Sequence, residues 1–150
     1  MAWWHKLQPL PASSAPIRSP ALPPIPRLGI IHSMTPDPKA FAEHWIAAWN
    51  SHDLDAILRH YDDQVVLTSP AAAKILGDPS GTVRGIAALR NYFRRGLEAY
   101  PDLRFELLDV MSGLSSIVLC FQNQKGTKTA EFMEFAPNGK ILRVVANYTP

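Results

Sequence analysis

A stripe of large aromatic side chains dominates the first regular pattern in the chain. Phe41, Trp45 and Trp49 are four residues apart, so a helix stacks them along one face. We predict this helix over residues 36–50. A second helix, predicted over residues 54–61, follows so closely that the two must fold back on each other. Together they present a broad apolar surface, which needs a partner layer.

The spacing of apolar residues then alternates between strand and helix periods. Residues 64–69 alternate with the period of a strand, and the proline and glycine residues of 70–84 predict a long loop. Residues 86–100 repeat apolar side chains at helical spacing and stop before a proline. Four further segments have strand character and are separated by glycine-containing turns, namely residues 104–110, 116–123, 128–135 and 140–148.

This order of elements, helices first and then a meander of strands, predicts an α+β fold. Consecutive strands joined by short turns pair antiparallel, and a strongly twisted sheet of this size curves. The curved antiparallel or mixed sheet is expected to wrap around the N-terminal helices, with the aromatic stripe as filling. We therefore predict a single cone-shaped α+β barrel domain over residues 34–150, with a pocket at its open end.

The first 33 residues have a different composition from the rest. They contain seven of the 14 prolines, which exclude helix interiors, so we expect a disordered, proline-rich leader. Met34 stands directly before the folded segment, and we interpret the leader as an over-extended start or a dispensable tail. The leader carries three basic residues and no acid, which leaves residues 34–150 with a net charge of −1. Nucleic acid and anionic membranes are therefore not expected as partners.

The length and the cysteine content restrict the class of protein further. A chain of 150 residues is long enough for one domain with a real core. It has no apolar run of the roughly 18 residues that a membrane span needs. The single cysteine, Cys120, excludes an intramolecular disulfide and fits a reducing compartment, so we predict a cytoplasmic location.

Four segments of the chain resemble the nuclear-transport-factor-2-like superfamily, especially its polyketide-cyclase-like and ketosteroid-isomerase-like branches. They are WIAAWNSHDLDAILRHYDDQVVLTSP, VRGIAALRNYF, PDLRFE and NGKILRVVANY. The likeness covers residues 36–148 and implies the cone-shaped α+β barrel predicted above. It also implies a homodimer formed through the outer face of the sheet and a pocket that binds small, largely apolar molecules.

The resemblance carries over only one of three functional positions of the ketosteroid isomerases. Trp45 stands where the isomerases have an oxyanion-hole tyrosine, and Ser69 stands before Pro70 where they have a catalytic aspartate. Glu131 stands where the isomerases have a buried, protonated aspartate. An apolar wall around Glu131 would keep its carboxyl neutral and able to donate a hydrogen bond. This pattern argues against ketosteroid isomerisation itself.

Glu131 is the candidate catalytic residue. Strand alternation places it on the same face as Met133 and Phe135, so it enters the pocket or lies at its rim. The alternative is a carboxylate that pairs with Arg143 or reaches solvent. The candidate ligand-binding residues are mostly aromatic side chains, with one serine and one methionine, that could line the cavity, and the alternative is that they only fill the core. They are Trp45, Trp49, Tyr61, Ser69, Tyr92, Met133 and Tyr148.

No metal or cofactor is expected. Three histidines are eight residues apart, but His52 lies in the turn between the helices, so nothing brings three ligands together. Neither Cys120 nor Ser69 has a general base at a spacing that would indicate a nucleophilic pair. The segment GDPSG lacks the Lys-Ser/Thr that completes a phosphate-binding loop. The arginines around Arg94 are interpreted as a solvated helix face rather than an anion site.

Two functions remain open at this point. The first is a small-molecule enzyme of isomerase, cyclase or hydratase type, without a cofactor, in which Glu131 donates or relays a proton. The second is a non-catalytic ligand-binding or dimeric assembly domain of the same fold. An open cavity that Glu131 reaches would favour the enzyme. A role in protein transport rests on fold analogy alone.

Overall fold

The structure is a computed structural model that describes residues 35–150, so the expectations for the leader and Met34 lie outside the described residues. Four helices and six strands occur in the described part of the chain. In order they are α1 (Pro38–Ser51), α2 (Leu54–Leu58), β1 (Tyr61–Thr68), α3 (Pro70–Leu76), β2 (Thr82–Arg84), α4 (Ile86–Ala99), β3 (Phe105–Ser112), β4 (Ser116–Asn123), β5 (Lys128–Phe135) and β6 (Ile141–Tyr148).

The first helix begins two residues later than its pattern predicts. The Asp37 side chain accepts a hydrogen bond from the Ala40 amide at 2.8 Å, and Pro38 occupies the first turn, where its missing N–H is no loss. The predicted second helix is too long, because it ends at Leu58. Tyr61, expected on a helix, instead begins β1, and this moves its side chain to the inner face of the sheet.

The prediction of a loop over residues 70–84 is wrong. Ser69 caps α3 by accepting a hydrogen bond from the Ala71 amide at 3.1 Å, and the alanine-rich segment behind Pro70 favours a helix. Residues 82–84 form β2, which pairs antiparallel with β1. The flanking prolines and glycines mark the ends of these two short elements and conceal the regular structure between them.

The six strands form one mixed sheet in the order β2-β1-β6-β5-β4-β3. The meander from β3 to β6 is antiparallel throughout, as predicted. The last strand, β6, also pairs in parallel with β1, and this pairing makes the sheet mixed. The sheet is curved but does not close, so β2 and β3 remain its edges. The predicted α+β fold class is confirmed.

The aromatic face of α1 fills the concave side of this sheet. Trp45 is 1% exposed and stacks nearly parallel on Phe105, with ring centroids 6.0 Å apart. Trp49 meets Phe93 of α4 edge-on at 4.7 Å. These contacts join the helices and the sheet in one core. Aromatic rings bury large areas and prefer offset-stacked or edge-on arrangements. None of the helices in residues 35–150 has the length and apolar content required to cross a membrane.

Candidate functional site

A cavity of about 460 Å³ opens between the inner face of the sheet and helices α1, α3 and α4. Seven of the eight residues proposed from the sequence line it: Trp45, Trp49, Tyr61, Ser69, Tyr92, Glu131 and Tyr148. The eighth, Met133, does not reach it. Met133 is completely buried, because its cross-strand neighbours Ile117 and Val144 belong to the packed core. The structure brings the seven together, and their functional roles stay predictions.

Glu131 lies on β5 with apolar residues on both sides. Its partners across the sheet are Leu119 on β4 and Ala146 on β6, and its side chain makes no hydrogen bond or ion pair with any of residues 35–150. Burial in this setting raises the pKa of Glu131 to about 7. The alternative pairing with Arg143 is not formed, since Arg143 stands opposite Glu134 on the other face.

The Tyr61 hydroxyl is fixed by a tryptophan. The Trp45 indole Nε1 donates a hydrogen bond to the Tyr61 hydroxyl oxygen at 3.0 Å. An indole can only donate, so the hydrogen of Tyr61 must find its acceptor elsewhere, and none of the described residues accepts it. Burial, reinforced by the Glu131 carboxylate, raises the pKa of Tyr61. Tyr61 is therefore a protonated donor on the cavity wall.

A second tryptophan leaves its donor unused. The Trp49 indole nitrogen is buried and has no hydrogen-bond partner among residues 35–150. It lies close enough to Tyr61 to favour the ionised form of that hydroxyl, yet outside hydrogen-bond geometry. A buried N–H without an acceptor is costly, which is a reason to expect an acceptor atom in the filled cavity.

Two further hydroxyl groups gather around Ser69. The Ser69 and Tyr148 hydroxyl oxygens are 3.3 Å apart, while Ser69 also caps α3. Tyr148 is 38% exposed, but the burial of its polar end, followed by the Glu131 carboxylate, raises its pKa to about 12. Burial likewise raises the pKa of Tyr92. These phenols are therefore neutral near pH 7, and each can donate a hydrogen bond.

A family profile described as the SnoaL-like domain matches residues 42–144 of this chain. The chain belongs to the SnoaL-like family. This places it in the nuclear-transport-factor-2-like superfamily, and the resemblance identified from the sequence is confirmed. A search among curated proteins found no match.

Solved structures of other SnoaL-like and related proteins share the fold. A SnoaL-like protein of unknown function from Burkholderia thailandensis is 36% identical, with a TM-score of 0.71 over 76% of this chain and all of that one. SalBIII, an epoxide hydrolase/cyclase-like enzyme of pyran ring formation in the polyether salinomycin, is 18% identical, with a TM-score of 0.58 over 74% and 89% of the two chains. A putative polyketide cyclase from Sinorhizobium meliloti is 12% identical, with a TM-score of 0.58 over 72% and 94%.

The SnoaL-like domain thus holds one carboxyl that changes protonation near neutral pH and three neutral phenols around it. The remaining wall is mainly aromatic and aliphatic. Such a site can hold an apolar molecule by its body, orient one oxygen atom by hydrogen bonds and move a proton. No group of three or more potential metal ligands occurs in the described part of the chain.

Several residues on the cavity wall were not predicted from the sequence. Phe121 could have been predicted, because the bounds predicted for β4 agree with the structure and strand alternation turns this side chain inward. Lys74 could not have been predicted, because it lies on α3, a segment that was predicted to be a loop. Lys125 and Thr127 lie in a predicted turn, and only the curvature of the sheet brings that turn to the cavity.

Proposed function

We propose that this SnoaL-like domain binds a small, largely apolar molecule and catalyses a proton transfer on it without a cofactor, as isomerases and cyclases do. The observation that carries the proposal is the Glu131 carboxyl. It faces the cavity without a hydrogen-bond or ion-pair partner among residues 35–150, and its pKa is raised to about 7. A general acid or base works best when its pKa lies near the operating pH.

The cavity supports a ligand of moderate size. Its volume of about 460 Å³ lies within the range of small-molecule sites, and its wall is dominated by rings such as Trp45, Phe93 and Phe121. The hydroxyl groups of three tyrosines on this wall lie near Glu131. A ligand with a flat or cyclic apolar body and one carbonyl oxygen satisfies both features, because the oxygen can accept the hydrogen bonds that the protein leaves unused.

The arrangement suits proton abstraction next to a carbonyl group. The Glu131 carboxylate would remove a proton from the carbon beside the carbonyl, and the Tyr61 hydroxyl would donate a hydrogen bond to the developing oxyanion. Where a carbon–carbon double bond lies next to the deprotonated carbon, the enolate extends over it, and the Glu131 carboxylic acid returns the proton to the far carbon, so that the double bond moves. The net change is an isomerisation in which atoms and electrons balance. If the enolate carbon attacks a second carbonyl of the same molecule, a ring forms instead, and the Glu131 carboxylic acid protonates the alkoxide that results.

The relatives support the reaction class only through the shared fold. SalBIII and the putative polyketide cyclase are less than 20% identical to this chain, so their chemistry is an analogy. By their names, one takes part in pyran ring formation and the other is a putative polyketide cyclase. Among residues 35–150, Glu131 is the one acidic residue that lines the cavity.

Exchange of carbon-bound protons tests the proposal without knowledge of the natural substrate. The bicyclic ketone 2-tetralone would be incubated with the protein in D₂O, and deuterium uptake beside the carbonyl followed by NMR. Binding would be measured separately by calorimetry. We expect exchange above the buffer rate, a loss of at least about tenfold in Glu131→Gln, and a smaller loss in Tyr61→Phe.

Glu134→Gln is the matched control, because Glu134 lies on the same strand but on the opposite face. It should exchange the ketone at the wild-type rate. Binding with no Glu131-dependent exchange would refute the catalytic part and leave the non-catalytic ligand-binding domain. Absence of binding by 2-tetralone and by a panel of related ketones would refute the cavity as a binding site for this class.

We also propose that the domain forms a homodimer through the outer face of its sheet. Val118, Phe132 and Val145 are cross-strand neighbours on this face and form an apolar row across three strands. They are half-buried within the single chain. A charge in an apolar interface is costly, so Phe132→Glu should convert a dimer to a monomer in sedimentation velocity. A wild-type monomer at high concentration would contradict the proposal.

A further inference from the structure

Two lysines border the opening of the cavity from different elements. Lys74 lies in the last turn of α3, and Lys125 lies in the turn between β4 and β5. Both side chains line the cavity and both are exposed, which places them where the cavity meets solvent. The cavity therefore has an acidic group, Glu131, inside it and two cationic groups at its mouth.

The two lysines have no acidic partner within residues 35–150. The ion pairs of this part of the chain are Lys39 with Glu43, Arg90 with Asp55, and Arg94 with Glu98. Among the described residues that line the cavity, Glu131 is the one carboxylate. Within the described part of the chain, an anionic group at the mouth would thus meet two lysines without acidic partners, and the one lining carboxylate, Glu131, lies inside the cavity.

The position of Lys125 is held by its own turn. The Asn123 side chain accepts hydrogen bonds from the amides of Lys125 and Thr127, at 2.9 and 3.1 Å. Gly126 has φ of 80°, and its amide bonds to the Asn123 carbonyl oxygen at 2.9 Å. A turn fixed in this way presents the lysine at the mouth without a large loss of backbone entropy on binding.

The strand also sets the distance between the two ends of the site. Thr127 and Glu131 both line the cavity and are four residues apart along β5 and its preceding turn. At a rise of roughly 3.3 Å per residue, this separation is about 13 Å. Thr127 adjoins the turn that carries Lys125, so a molecule that extends from Glu131 to this turn spans a comparable length and has its polar groups at opposite ends.

We propose that Lys74 and Lys125 select an amphipathic carboxylate, whose apolar body fills the cavity and whose anionic end remains at the mouth between the two lysines. The reacting oxygen function then lies at the inner end, beside Glu131 and Tyr61. This inference rests on the proposed function, since it names the substrate class of the same cavity. It adds an electrostatic selection that the apolar wall cannot provide.

A matched pair of probes tests the selection. The probes are 4-(2-naphthyl)butanoate and its neutral amide, which share the apolar body and differ in charge. Titration calorimetry at low salt would compare the wild type, the double variant Lys74→Gln/Lys125→Gln, and Lys128→Gln. Lys128 is the control, because it is an exposed lysine on β5 that does not line the cavity.

We expect the wild type to bind the carboxylate roughly tenfold more tightly than the amide, as two exposed ion pairs allow. The double variant should bind both probes with equal affinity and the amide as the wild type does. Lys128→Gln should keep the preference, and added salt should reduce it.

Equal binding of both probes by the wild type would overturn the selection while leaving the apolar cavity as a binding site. A preference that Lys128→Gln reduces as much as the double variant does would also overturn it. If neither probe binds to a protein that binds 2-tetralone, the selection is overturned and the proposed function stands.

Discussion

The protonation of Glu131 should make a measurable contribution to the pH dependence of the free energy of unfolding. Replacing it by glutamine keeps the size of the side chain and removes its titration. Burial raises the pKa of Glu131 from 4.5 to about 7, so between these values the native state holds a proton that the unfolded chain has released. Stability falls with rising pH wherever the native state binds more protons. The wild type should therefore lose stability relative to Glu131→Gln as the pH rises across this window.

The magnitude follows from the same two pKa values. The rise from 4.5 to about 7 corresponds to about 3 kcal/mol of unfavourable free energy for the ionised carboxylate in the native state. The stability difference between the variant and the wild type should grow by up to about 1.4 kcal/mol per pH unit inside the window. Above about pH 8 it should level off.

Urea unfolding at a series of pH values from about 4 to about 8.5 would measure this difference. A constant offset from the glutamine amide does not matter, because only the change with pH is compared. His60 titrates in both proteins, so its contribution cancels. Glu134→Gln serves as the control and should follow the wild type. Parallel curves for the wild type and Glu131→Gln would refute the raised pKa, and with it the main support for proton transfer.

Three other perturbations test the framework of the site. Trp45→Phe removes the hydrogen bond to the tyrosine hydroxyl and should cost roughly 1 kcal/mol more, by urea unfolding, than Trp49→Phe, whose indole has no partner within residues 35–150. Equal losses would show that this bond adds nothing. Gly81→Ala should cost about 2 kcal/mol or more, because its Cβ would lie 2.5 Å from a backbone oxygen and φ is 56°. Gly126→Ala, with open space around it, should cost clearly less by the same assay. Burial lowers the pKa of His60 below 6.5, so stability is lost as the pH falls through 6.5 towards the folded value, and His60→Gln should flatten the acid limb of a thermal-melting series. An unchanged acid limb would contradict that assignment.

Local patterns were sufficient for most of the fold. The four-residue spacing of Phe41, Trp45 and Trp49 identified the helix that fills the sheet, and strand alternation gave the bounds of β4 and β5. Helices and strands are set largely by the period of their apolar residues, which is a property of neighbouring positions. The same alternation is enough to place Glu131 on an inner face of the sheet.

Elements whose stability depends on contacts with distant parts of the chain could not be predicted from local patterns. The helix α3 is seven residues long, so its formation depends on the Ser69 cap and on packing rather than on propensity. The strand β2 has three residues and exists because β1 supplies its hydrogen bonds. Tyr61 was assigned to a helix by its spacing, but the parallel pairing of β1 with β6 draws it into the sheet.

The sequence by itself determined the fold class, the aromatic stripe that fills the concave side of the sheet, and the inward-facing carboxyl. Each of these follows from the spacing of apolar and polar side chains along one segment. Only the tertiary structure decided what surrounds that carboxyl. Leu119 and Ala146 flank Glu131 across the sheet, and Tyr61, from a distant part of the chain, lines the same cavity. The pKa of a buried group depends on neighbours that are remote in sequence, so its chemistry emerges only when the sheet curves around the helices.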